Sequence, residues 1–168
     1  AKIIANTKSN KRSIIIALFS AEEKGLLGSE EFANKLKVSD YKVYCAGNID
    51  MIGSVLTGQQ GKVYISGYKK SNMAQVLNKY IGSEEIVNWQ KEENYGLFGL
   101  SDNYPIYQAL QIPSHTFCTF DFKNYPYYHK VDDEIDKIDL DNTVIIANNI
   151  CLAIRKLSES SDYEIKLK

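Results

Sequence analysis

The sequence lacks any excess of charge: 20 basic residues stand against 21 acidic ones, a formal net charge of -1, with both signs spread along the chain. That balance provides no basic footprint for a nucleic acid or an anionic membrane, and it points to a small or neutral partner. Long apolar runs are missing too. The longest, Ile14 to Phe19, falls far short of the roughly 20 residues needed to cross a bilayer, so no transmembrane segment is expected. Cys45, Cys118 and Cys151 lie far apart, form no CxxC pair, and two of them sit inside apolar runs, which reads as buried thiols. Neither an internal repeat nor a linker nor a low-complexity tract interrupts the chain. It opens on Ala1 without an initiator Met or a signal-peptide pattern, and the polar stretch Asn6 to Lys11 leads straight into an apolar strand. The expectation is a natural amino terminus further upstream.

What is present suffices for a core. The chain has 168 residues, 44% of them hydrophobic, the size and apolar fraction of one compact domain spanning 1–168. Ser13 to Phe19 is a β-branched run bounded by polar residues, which predicts a central strand covered on both faces. After Gly25 and Gly28, Ser29 is placed to cap a helix reaching about Leu36. Strands are expected over Lys42 to Ile49 and Lys62 to Ser66, a helix over Ser71 to Tyr80, and a short strand at Ile86 to Trp89. Lys91 to Leu100 reads as a loop, Ser101 as the start of another helix, Ser114 to Phe120 as a strand, and Asp121 to Asp136 as irregular. Leu140, Val144, Ala147, Cys151, Ile154 and Leu157 mark the apolar stripe of a terminal helix. Alternating strands and helices imply an α/β three-layer sandwich with a mostly parallel central sheet.

In open α/β sheets ligands gather at the carboxyl ends of strands, where Glu22 and Glu23 follow the first strand and Asp50 follows the second. A Glu-Glu pair alone is ordinarily a solvated loop. Asp50 differs, because it sits in NIDMIG between an apolar strand and Met51, Ile52 and Gly53, where an unpaired carboxylate is costly. A cation satisfies such a group; so does a helix amino terminus or a lysine. Histidine occurs twice. His115 lies inside an apolar strand and reads as a core residue with one satisfied nitrogen. His129 follows Tyr125, Tyr127 and Tyr128 in an irregular loop and precedes Asp132 and Asp133, which offers a ligand and a carboxylate to orient its ring; the plainer reading is a surface histidine.

Taken together, ALFSAEEKGLLGS, NIDMIG, LSDNYPIYQALQIPS and YYHKVDDEIDKID resemble the successive motifs of the bacterial di-zinc aminopeptidases, the family of aminopeptidase S and bacterial leucyl aminopeptidase. Glutaminyl cyclases and the glutamate carboxypeptidase and transferrin receptor group are more distant relatives. The resemblance runs from about Ser13 to about Leu157. It implies a phosphorylase/hydrolase-like zinc exopeptidase fold, two Zn2+ ions in the complete enzyme, and a peptide substrate with a free amino terminus. By that resemblance Glu22 matches the general base, Glu23 the adjacent zinc ligand, Asp50 a ligand of the other zinc, and His129 a ligand of the same zinc as Glu23. Tyr128 matches the tyrosine that in some members donates to the oxyanion, while Asp102 and Asp133 match acidic positions around the site. Zinc lowers the pKa of bound water to about 7 and polarises the carbonyl, and a neighbouring glutamate can shuttle the proton to the leaving amine.

Two departures qualify the match. Where the family often reads Ser-Asp-His, this chain reads Ser101-Asp102-Asn103, which removes an outer imidazole and puts fine positioning in question. The family also places one more zinc-ligand His and a bridging Asp upstream of the Glu-Glu strand, and nothing from Ala1 to Arg12 can stand in for them. The expectation is therefore a domain truncated at its amino terminus. As an isolated piece it would bind zinc weakly or not at all and show no peptidase activity. Its exposed apolar surface would favour self-association or a retained upstream segment. Two other functions stay open: a noncatalytic relative acting as a binding or structural domain, and a glutaminyl-cyclase-like aminoacyltransferase. An extracytoplasmic or secreted location follows from the resemblance alone.

Overall fold

A computed structural model describes residues 9–82, 84, 86–87, 89 and 91–168. Part of the leading polar stretch expected at Asn6 to Lys11, and part of the strand expected at Ile86 to Trp89, lie outside them. Four strands form one mixed sheet in the order β1-β4-β2-β3: β1 is Ala46–Ile49, β2 Val63–Ile65, β3 Ile86–Val87 and β4 Ser114–Cys118. β1 runs parallel to β4 and β2 parallel to β3, while β2 and β4 are antiparallel. The helices are α1 (Leu27–Lys37), α2 (Met73–Ile81), α3 (Glu92–Tyr95), α4 (Asn103–Leu110) and α5 (Leu140–Glu159).

Alternation along β4 divides the layers. His115 and Phe117 face α2 and α5, where Val63, Ile65, Leu77, Ile146 and Ile150 complete the main core. Ser114, Thr116 and Cys118 face the other way, toward α4 and a smaller cluster of Leu56, Tyr64 and Phe120. α1 lies against α4 on that second side. Helices thus cover both faces, as the α/β sandwich requires. None of the helices among the described residues is long and apolar enough to cross a membrane.

Several local expectations need correction. Ser13 to Phe19 joins no ladder, and Ile15, Ile16 and Leu18 are exposed, Leu18 at 96%. A β-branched run becomes a strand only where a neighbour offers hydrogen-bond partners, and no described strand pairs with this one. Ser29 does not cap α1; it sits buried inside the first turn with its hydroxyl on the Leu26 carbonyl. The loop expected over Lys91 to Leu100 contains α3 and a 3-10 turn at Leu97–Gly99. The first half of the α5 stripe is also rotated: Leu140, Val144 and Ala147 are exposed, whereas Asn142, Ile146, Ile150 and Ala153 are buried; further along, Ile154 and Leu157 pack against the core as expected. Val144, Ile145, Ile146 and Ala147 are all apolar, so periodicity alone cannot say which of them faces the sheet. The three cysteines are free thiols, Cys118 buried and Cys45 and Cys151 half-buried. Burial pushes Cys118 up to about 11 and Cys45 to about 12, so both stay protonated at neutral pH.

Candidate active site

The site is built where β1 and β4 end. The last ladder contact runs from the Asp50 amide to the Phe117 carbonyl at 3.2 Å. Met51 then takes a left-handed conformation (φ 52°), and its carbonyl accepts from both the amide and the hydroxyl of Thr119, turning the chain across the end of β4. Asp50 is left at the lip of a cavity of about 970 Å³. Its Oδ2 accepts from the Ser101 hydroxyl at 2.7 Å. Ser101, expected only as a helix start, thus reaches into the site.

Glu22 and Glu23 occupy a 3-10 turn, Glu22–Lys24, framed by left-handed Ala21 (φ 58°), Gly25 (φ 99°) and Leu26 (φ 62°). The Ala21 and Glu22 carbonyls accept from the amides of Lys24, Gly25, Leu26 and Leu27, closing the turn. Gly28 anchors it to the preceding chain, its amide donating to Ser20 O at 3.1 Å. A Cβ at position 28 would stand 2.5 Å from that oxygen, so only glycine fits. Left-handed non-glycine residues cost of order 1–3 kcal/mol each and tend to cluster at functional sites. Here Ala21, Leu26, Met51 and His129 (φ 56°) border or adjoin the same cavity.

All five expected site residues come together. Glu23 Oε1 and His129 Nε2 lie 3.1 Å apart, and the His129 ring stacks on Tyr128 with centroids 3.9 Å apart. Tyr128 in turn packs on Phe120. The carboxyl of Glu22 is raised above the ordinary range, first by burial, then by the negative charges of Glu23, Asp50 and Asp102, with His129 opposing. Burial, followed by the charges of Glu23, Glu22 and Asp50, likewise raises the Tyr128 hydroxyl. Asp133 does not orient His129 as expected from its position; it accepts from the Tyr125 hydroxyl and so braces the loop. That loop is fixed further back by Asp121, which receives Thr57 N, Lys123 N and Asn124 N. His115 is a core residue, satisfied at both nitrogens rather than one: Nδ1 lies 2.7 Å from Ser66 O and Nε2 2.6 Å from Ser71 Oγ. Burial holds its pKa below the usual value.

The donor set bears on metal binding in two ways. Two atoms bonded to one tetrahedral zinc at about 2.0–2.1 Å lie about 3.3 Å apart, close to the Glu23–His129 separation. Asp102 Oδ1, buried and near enough for its charge to raise the Glu22 pKa, has no hydrogen-bond partner among the described residues, a costly state that a cation or a bound donor would relieve. Among the described residues no group of three or more His, Cys, Asp or Glu side chains closes around a single point. The residues present therefore fit part of a metal site.

Residues 1–154 match the family model for peptidase family M28. The chain belongs to that family. Among solved structures the M28 chain is similar to the LapA aminopeptidase of Legionella pneumophila, with a TM-score of 0.65 at 19% identity over 86% of this chain and 38% of that one. It is also similar to the aminopeptidase from Aneurinibacillus sp. strain AM-1 (TM-score 0.59, 23% identity, 82% of this chain and 32% of that one). A third is the Porphyromonas gingivalis glutaminyl cyclase (TM-score 0.55, 18% identity, 84% and 50%). At these identities the likeness shows the fold, and this M28 chain spans half or less of each neighbour's length.

Proposed function

We propose that this chain carries most of the active site of a zinc-dependent aminopeptidase that removes amino-terminal residues from peptides. The observation that carries the reading is the convergence of Glu22, Glu23, Asp50 and His129 at one cavity, with Glu23 and His129 3.1 Å apart. Glu23 and His129 would hold one zinc ion and Asp50 would contribute to a second. Zinc so bound supplies Lewis acidity toward the peptide carbonyl and acidifies water. Glu22 would take a proton from the attacking water as the new C–O bond forms, and would return it to the departing amine as the scissile C–N bond then breaks. Burial at the cavity wall acts to raise the Glu22 pKa, which favours a base over a permanently ionised carboxylate. Tyr128, whose ring stacks on His129 and packs on Phe120, would donate to the developing oxyanion.

The test compares substrates on the full-length protein containing this chain. Steady hydrolysis of leucine or alanine p-nitroanilide, lost on chelation and restored by zinc, is the expected result. Faster conversion of amino-terminal glutaminyl peptides to pyroglutamyl peptides would instead make it a cyclase. Stoichiometric zinc with neither reaction would favour a noncatalytic relative.

A further inference from the structure

Asn103 stands where the motif's imidazole is expected, and it is completely buried at the start of α4. Its Nδ2 faces two carbonyls, Phe98 O at 3.2 Å and Ser114 O at 3.4 Å. An amide nitrogen can only donate, so this pairing fixes Oδ1 toward Thr116, whose hydroxyl donates to it at 2.7 Å. With its proton committed, Thr116 Oγ1 can only accept from Asn48 Nδ2, at 3.1 Å. The second hydrogen of that same nitrogen goes to Ser101 Oγ at 2.8 Å. Ser101 must then direct its own proton to Asp50 Oδ2, at 2.7 Å. Every donor direction in the chain is dictated by the one before it, starting from two backbone carbonyls.

We propose that Asn103 is a positioning residue for Asp50, acting through Thr116, Asn48 and Ser101. The relay holds one carboxylate oxygen of Asp50 on a fixed donor and leaves Oδ1 for a cation. Were the Asn103 amide reversed, Thr116 would face a donor, its proton would turn toward Asn48, and Asn48 could no longer order Ser101. The inference rests on Asp50 serving as a metal-holding group.

The role separates from simple structural support because Asn103 uses different atoms for each. Nδ2 and the main-chain carbonyl, which accepts from Ser114 Oγ at 2.8 Å, tie α4 to β4; only Oδ1 enters the relay. Thr116→Val removes the relay hydroxyl and keeps both ties, and Thr116→Ser restores the hydroxyl. In the full-length protein, zinc affinity measured by competition with a chromogenic chelator should fall about tenfold or more in Thr116→Val, the usual scale for outer-sphere partners, and stay within about twofold in Thr116→Ser. The cobalt(II) absorption spectrum should shift in the first variant alone. Asn103→Ser, which also cuts the Nδ2 ties, is compared only once its circular dichroism and thermal melt match those of Thr116→Val; it should then weaken zinc in the parent background and add nothing in Thr116→Val, since the link is already cut. Unchanged affinity in Thr116→Val, or additive losses in the double variant, overturns the relay. If valine prevents folding, Thr116→Ala removes the same hydroxyl and is read in the same way. A parent protein that binds no zinc overturns the aminopeptidase reading and the relay with it, whereas zinc binding with no loss in Thr116→Val overturns the relay alone.

Discussion

The two walls of the cavity are built differently. Asp50 is reached from the sheet through Ser101, Asn48, Thr116 and Asn103, side chains that hydrogen-bond one another at 2.7–3.1 Å and end in a fully buried asparagine. Across from it, Glu23 and His129 meet at 3.1 Å with side chains 72% and 57% exposed. They are carried by turns that depend on left-handed Ala21, Leu26 and His129. One wall takes its geometry from the core; the other takes it from the backbone of surface loops. A polar contact this exposed to water is worth at most about 0–1 kcal/mol, so the Glu23–His129 contact does not by itself order those loops.

This contrast predicts where substitutions act. On the loop wall the most damaging remote change is Gly28→Ala. The added Cβ would collide with the backbone of Ser20 at 2.5 Å, and the relief available is a shift of the turn bearing Glu22 and Glu23. A displacement near 1 Å at catalytic groups costs about 10²-fold, so kcat/KM should fall on that scale in the full-length protein while Asp50 keeps its surroundings. Wild-type kinetics in Gly28→Ala would show that the turn tolerates movement. Next is Tyr128→Phe, expected to lower kcat about tenfold with little change in KM. That is below the roughly 10²-fold or more of a rigid oxyanion donor, because this loop is partly open to water. An equal rise in KM would place the hydroxyl in ground-state binding.

The smallest effect belongs to the core. His115 is held neutral between Ser66 and Ser71, with its pKa depressed by burial. Well above pH 6.5 neither folded nor unfolded chain protonates it, so it has no influence there. As pH drops below that value the unfolded chain takes up a proton that the folded chain refuses, and stability falls until the folded pKa is reached. The loss is about 1.4 kcal/mol for each unit between the two values. Thermal melts from pH 7.5 to 5 should show this decline and lose it in His115→Asn; an identical slope in the variant would assign it to other groups.

The same division governs how much could be read from the sequence. Glu22, Glu23, Asp50, Tyr128 and His129 were legible through the family motifs that their segments resemble, since locally the Glu-Glu pair and His129 read as surface groups, and all five line one cavity. Ser101, Asn48 and Thr116 were legible only as a helix start and as polar residues within apolar strands, because their role depends on β1 lying beside β4, a pairing separated by more than sixty positions in the chain. The strand at Ser13 to Phe19 failed for a related reason: composition records a preference for extended structure, but ladder partners come from elsewhere. The stripe on α5 was misplaced because Val144, Ile145, Ile146 and Ala147 all satisfy an apolar pattern, and only the position of the sheet selects Ile146.

The division of labour between Glu22 and Glu23 is the centre of this account, and zinc content measured alongside kcat in two variants of the full-length protein tests it most directly. Glu22→Gln removes a base that holds no metal, so kcat should fall by about 10² or more while zinc stays near the parent level. Glu23→Ala removes a partner of His129 and should lose zinc and activity together. Equal zinc loss in both variants, or full turnover in Glu22→Gln, would contradict the assignment.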